Sequence, residues 1–123
     1  MVDATEKARR LKCLNNLKQI GLALFMYRET FDGKWPKNLE TLVDKKCLTT
    51  TKVLQCPSAK SPPGSVDYAL VRTEGRTFGD TDIIVYDRRT NHKDGRNVLL
   101  MNQQVQWLSE EDFKKRMGNE LTD

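Results

Sequence analysis

Residues 3–30, DATEKARRLKCLNNLKQIGLALFMYRET, decide how the rest of the chain is read. Apolar residues recur at Ala4, Ala8, Leu11, Leu14, Leu17, Gly21, Leu24 and Phe25, with Ile20 and Tyr27 widening the stripe. Steps of three and four residues predict an amphipathic helix. Glu6, Lys7, Arg10, Lys12, Asn15, Lys18 and Gln19 take the other side, and Asp3 or Thr5 supplies the cap. One helix from Asp3 to Thr30 would be about 40 Å long at about 1.5 Å per residue. Gly21 interrupts it at a cost of about 1 kcal/mol relative to alanine unless something packs closely there. Asp32-Gly33 is a turn signal, and Trp35-Pro36 confirms the break.

Beyond that break the elements shorten. Leu39 to Val43 suits a second helix capped by Asn38, and Thr49 to Gln55 connects onward. Cys56-Pro57 opens an irregular stretch that runs through Ser61-Pro62-Pro63-Gly64-Ser65. The period then changes to two. Tyr68–Val71, Ile83–Tyr86, Asn97–Met101 and Val105–Leu108 read as short antiparallel strands, the last two joined tightly at Asn102-Gln103. Ser109 with Glu110, Glu111 and Asp112 behind it starts a terminal helix that ends near Gly118 in a frayed tail. The fold class is therefore α+β, one domain over 1–123. A long helix (3–30) is covered by a small antiparallel sheet (66–108), and a short helix (109–118) follows.

Composition narrows the function. With 37% hydrophobic and 31% charged residues the chain is ordinary globular material, so neither disorder nor a low-complexity role is expected. The opening MVDATEKARR has no apolar signal core, and no stretch is long enough to span a membrane. A net charge of +4 is too small to single out nucleic acid. Three cysteines, none in a C-x-x-C pair, and a single histidine supply no zinc-type ligand set by spacing. An odd cysteine count allows one disulfide with one free thiol, or three free thiols.

Three segments are more specific. They are 9–24 (RRLKCLNNLKQIGLAL, with Gly33-Lys34-Trp35-Pro36 beyond), 53–58 (VLQCPS) and 91–108 (NHKDGRNVLLMNQQVQWL). Together they resemble the type IV pilin-like pseudopilins, above all the prepilin-type proteins of planctomycete-like and verrucomicrobia-like bacteria. In that group a membrane-spanning helix runs into an A-R-x-x-C-L-x-N-L-K-Q-I-G segment, and the sheet closes with N-H-x-D-G-x-N-V-L-F-x-D-G-H-V-x-W. Here the D-G-H turn is replaced by Asn102-Gln103-Gln104. The processing site and the apolar half of the helix do not precede residue 3. The resemblance therefore implies an ectodomain of a longer anchored protein, or a subunit that lost its anchor. It implies a non-catalytic structural subunit of a pilus or pseudopilus in the cell envelope, facing the periplasm or exterior. Partners would be itself or other pilin-like subunits, with membrane contact only through the preceding segment. Leu11, Leu14, Ile20 and Leu22 would form the assembly face of the helix. The alternative is a minor pilin-like binding module for nucleic acid or an extracellular ligand.

The chemically interesting residues have plainer readings. His92 beside Asp94 lacks a nucleophile or a third ligand, and a turn with Gly95 at positive φ explains the pair. Asp80, Asp82 and Asp87 offer the oxygens calcium takes, and major pseudopilins of type II secretion bind calcium in a comparable loop. Their spacing is not that of an EF-hand, so a solvated loop and no cofactor is the expectation. Arg88, Arg89, His92, Lys93 and Arg96, and then Lys114, Lys115 and Arg116, are basic runs without interleaved aromatics, which argues against nucleic acid. Cys13 on the helix reads as a small buried hydrophobe. Cys47 and Cys56 flank a short segment and are the disulfide candidates, with a Cys13–Cys56 pair or three free thiols as the competing outcomes; the envelope implied by the resemblance would be oxidising.

Overall fold

The computed structural model describes residues 4–59, 61–62, 64–88 and 91–118. Asp3 as a helix cap, Pro63, Arg89 and the tail after Gly118 lie outside them. The first helix, α1, runs unbroken over Ala4–Thr30. Its chain reverses at Asp32 and Gly33, both at positive φ, where Gly33 N–H donates to Arg28 O at 2.7 Å. That bond satisfies one of the carbonyls a helix end leaves open. A second helix, α2, covers Glu40–Asp44, with Asn38 Oδ1 accepting the Thr41 N–H at 2.9 Å. A 3-10 turn spans Thr51–Leu54.

Four strands follow: β1 (Tyr68–Leu70), β2 (Ile83–Asp87), β3 (Gly95–Leu100) and β4 (Val105–Ser109). They pair antiparallel in chain order, as a meander. The α+β class and the long helix on an antiparallel sheet are as the sequence predicts. β3 starts two residues earlier than expected, at Gly95, because its first residue pairs with Ser109. Gly95 is not at positive φ; it sits where the Leu108 carbonyl and the Trp107 indole fill the space of a Cβ. The terminal helix, α3, is Glu110–Met117, and Ser109 Oγ accepts the Asp112 N–H at 3.2 Å.

The sheet is covered on both faces. Cys13, Leu17, Ile20 and Leu24 of α1 pack with Leu42, Leu54, Ile84 and Leu99 on one side. Phe113 and Met117 of α3 pack on Tyr86, Val98 and Leu100 on the other. A strand between two apolar layers needs no polar alternate, which is why every position of β3 is buried. Asn97 and Arg96 are the exceptions in chemistry but not in burial, and Arg96 is the larger. Its guanidinium forms a two-pronged ion pair with Glu110, at 2.8 Å on each side, and lies 4.2 Å from the centre of the Phe113 ring. Gly21 has the close packing that excuses a glycine in a helix: Gln103 Oε1 occupies the place of its Cβ and Leu99 Cδ1 stands 3.2 Å away.

Candidate functional site

Two features of α1 stand out, one buried and one exposed. Glu6, Arg10 and Cys13 recur at helical spacing, so one face carries all three toward the end of the sheet. There Cys13 is joined in a disulfide to Cys56, which follows the 3-10 turn, with α-carbons 5.6 Å apart. Asp87 at the end of β2 and His92 in the β2–β3 connection complete the cluster. All four residues are at most 5% exposed.

The imidazole bridges two carboxylates. His92 Nδ1 lies 2.9 Å from Glu6 Oε2, and Nε2 lies 3.4 Å from Asp87 Oδ2 and 3.7 Å from Cys56 Sγ. Glu6 also accepts from Ser58 Oγ at 2.7 Å and Arg10 Nε at 3.1 Å. Burial alone would raise the Glu6 pKa, yet the bonds from Ser58, His92 and Arg10 outweigh it and hold the carboxyl below the ordinary glutamate value. Asp87 is the opposite case. Deep burial pushes its pKa up, even though His92, Asn91 Nδ2 and Asn97 N–H favour the carboxylate. Trp107 closes the cluster from outside, edge-on to His92 and beneath the Arg10 guanidinium at 3.9 Å. A second carboxylate in the same neighbourhood, Asp67, accepts from the Cys56 N–H at 2.8 Å and Ser61 Oγ at 2.7 Å, fixing the segment that carries Cys56.

The exposed feature is the opposite side of the same helix. Leu11, Leu22, Phe25 and Met26 are 58%, 62%, 56% and 52% exposed. At about 3.6 residues per turn they fall within an arc of about 100°, facing away from Cys13, Leu17, Ile20 and Leu24. Lys7, Asn15, Lys18 and Glu29 share this arc, so the outer side of α1 is mixed, with Leu22, Phe25 and Met26 grouped toward its C-terminal end and Leu11 three turns before them. A groove of about 390 Å³ continues the outer face at the C-terminal end of the helix, lined by Phe25, Arg28, Trp35, Ile84 and Met101 among others.

Residues 3–40, which hold Glu6, Arg10, Cys13 and the whole exposed face, match a family model described as "Protein of unknown function (DUF1559)". No curated protein and no solved structure matches the chain.

Several expectations from the sequence need correcting. The disulfide is Cys13–Cys56 and not Cys47–Cys56; Cys47 is free and half-buried beside α2. Short separation misled, because the chain between Cys47 and Cys56 runs away along the 3-10 turn while α1 brings Cys13 alongside. Of the expected assembly face, Leu11 and Leu22 are exposed, Leu14 is half-buried, and Ile20 is wholly buried in the core. Ile20 lies half a turn away from Leu11 and Leu22 around the helix, so it cannot share their side.

The three aspartates do not share a loop either. Asp82 precedes β2, where its Oδ2 accepts the Gly79 N–H at 2.8 Å, and Asp80 is in the same turn. Asp87 closes β2 at the far end and is buried. His92 turns away from Asp94, whose exposed carboxylate receives Arg10 at 3.5 Å. The basic runs dissolve as well: His92 and Arg96 are internal, Lys115 pairs with Glu111, and Arg116 donates to Thr81 O. The absence of a zinc-type set by spacing does not survive folding, since two sulfurs, an imidazole and a carboxylate converge from four separate segments. The spacing of Glu6, Arg10 and Cys13 was the one available signal for that convergence, and it gives only the helical half.

Proposed function

We propose that the chain is a non-catalytic structural subunit of the pilin-like type, which assembles with copies of itself or with similar subunits through the outer face of α1. The observation that carries this reading is the exposed apolar group Leu22, Phe25 and Met26, with Leu11 further back on the same side, set opposite the side that the chain's own sheet covers. Exposed large apolar residues grouped on one helix face, as Leu22, Phe25 and Met26 are, mark an interaction surface, whereas singly scattered ones would not. A subunit whose helix packs on its own sheet on one side and on neighbours on the other needs this two-sided pattern. The family model matched over 3–40 spans the same helix and supports reading this segment as the defining part. Among the described residues no helix is long and apolar enough to cross a membrane. In this proposal the envelope anchor is an apolar stretch N-terminal to α1 in the full-length protein, and the domain faces an oxidising space in which the Cys13–Cys56 bond can form.

The test is sedimentation velocity over a rising concentration series for the wild-type chain and for Leu11→Glu/Leu22→Glu. The wild type should shift toward larger species, and the variant should stay monomeric with an unchanged melting temperature. Association that persists unaltered in the folded variant would move assembly to another surface.

A further inference from the structure

We propose that Cys13, Cys56, Asp87 and His92 form a closed zinc site in the reduced chain, an alternative to the Cys13–Cys56 disulfide built from the same two sulfurs. This goes beyond assembly through α1 and does not depend on it. The four residues each present one donor atom, and these atoms all lie within 4.8 Å of one another. Two thiolates, an imidazole nitrogen and a carboxylate oxygen are the donor types zinc takes in four-coordinate sites. With zinc bonds of about 2.3 Å to sulfur and about 2.0–2.2 Å to nitrogen and oxygen, a tetrahedron has S–N edges of about 3.6 Å and N–O edges of about 3.4 Å. His92 Nε2 stands 3.7 Å from Cys56 Sγ and 3.4 Å from Asp87 Oδ2, so two of the edges are already in place.

The surroundings suit a ligand set. A metal-bound histidine usually gives its other ring N–H to a carboxylate, which fixes the tautomer and the ring plane. Glu6 Oε2, 2.9 Å from His92 Nδ1, is that carboxylate, and it is itself held by Ser58 and Arg10. Asp87 is oriented by Asn91 Nδ2 at 3.0 Å and Asn97 N–H at 2.7 Å. With all four ligands from the protein and all of them buried, the site is closed, which is the pattern of structural and not of catalytic zinc.

The two states exclude each other. A dithiol reductant gives two electrons and two protons to the disulfide, the S–S bond breaks, and the reductant leaves as its own disulfide. Zinc(II) then bonds to both sulfurs as two protons pass to solvent, while His92 contributes the Nε2 lone pair with its proton on Nδ1. The sulfurs must part to an edge of about 3.8 Å. Zinc would thereby hold α1 to the segment after the 3-10 turn whenever the disulfide is open.

The test uses the whole chain, reduced and freed of reductant without air, with zinc or cobalt ions alone as the probe. One cobalt per chain should bind, with the visible bands of a tetrahedral centre and thiolate-to-metal charge transfer. The oxidised chain should show neither. Bound zinc should slow alkylation of Cys13 and Cys56, read by mass spectrometry, and leave Cys47 as reactive as before. Asp87→Asn and His92→Gln should weaken zinc binding by about 100-fold or more, and Glu6→Gln by about 10-fold, the latter being the size of an outer-shell effect. The wild-type alkylation pattern decides the matter even if a variant fails to fold. No binding at stoichiometric metal, octahedral cobalt spectra, or protection that includes Cys47 would each overturn the proposal.

Discussion

The Cys13–Cys56 cross-link makes a quantitative demand on stability. It closes a loop of 43 residues, against nine for the Cys47–Cys56 pairing that sequence separation favours. In the chain-entropy account the longer loop stabilises the fold by about 4 kcal/mol at 25 °C and the shorter one by about 2.6 kcal/mol. Unfolding entropy of about 2.1 cal/mol/K per residue turns about 4 kcal/mol into a fall in Tm of about 15 °C for a chain of this length. The measurement is a thermal melt by circular dichroism in the presence of a chelator, so that released thiols cannot recruit metal. Oxidised wild type is compared with the reduced chain, with Cys13→Ala and with Cys47→Ala. Reduction and Cys13→Ala should each lower Tm by roughly that amount, and reductant should have no further effect on Cys13→Ala. Cys47→Ala should melt within a few degrees of wild type and keep its full response to reductant. If Cys47→Ala is the variant that loses the response, or if reduction leaves Tm unchanged, the pairing described above is wrong.

Arg96→Ala should destabilise by about 3 kcal/mol, the low end for breaking a buried ion pair because Glu110 keeps some contact with water, and urea denaturation would read it. Glu6 gives a pH dependence of defined sign. Its folded pKa is depressed, so its contribution is present above the ordinary glutamate value and is lost as pH falls through the lower folded value. Asp87 is raised and acts in the opposite sense, its contribution being lost as pH rises through its folded value. The useful quantity is therefore the difference between wild type and Glu6→Gln, which should shrink as the solution is acidified below the glutamate range in a series of chemical melts. Leu11→Glu alone should cost no more than about 0.5 kcal/mol, the usual scale of a surface change, since the side chain stands mostly in water.

What the sequence determined by itself was local. The apolar spacing of 4–30 decided the long helix, the change to a period of two decided the strands, and Ser109 with its acidic followers decided where α3 begins. Each of these signals lies within a few residues, at the range over which a helix turn or a strand pleat repeats. Tertiary structure alone decided what distant residues do to one another. Gly95 looked like a turn glycine and is a strand residue under an indole, because the β3–β4 register pairs Trp107 with Asn97 and so lays its ring diagonally over Gly95, two residues earlier. His92 looked paired with Asp94 and is held by Glu6, 86 positions away. Cys13 found Cys56 and not a thiol nearer in sequence to it, and Ile20 turned inward although it belongs to the same apolar set as Leu22. The reason is common to all of them. A helix of 27 residues presents every direction to its surroundings, and only the placement of the sheet against one side determines which residues become core, which become site and which remain for a partner.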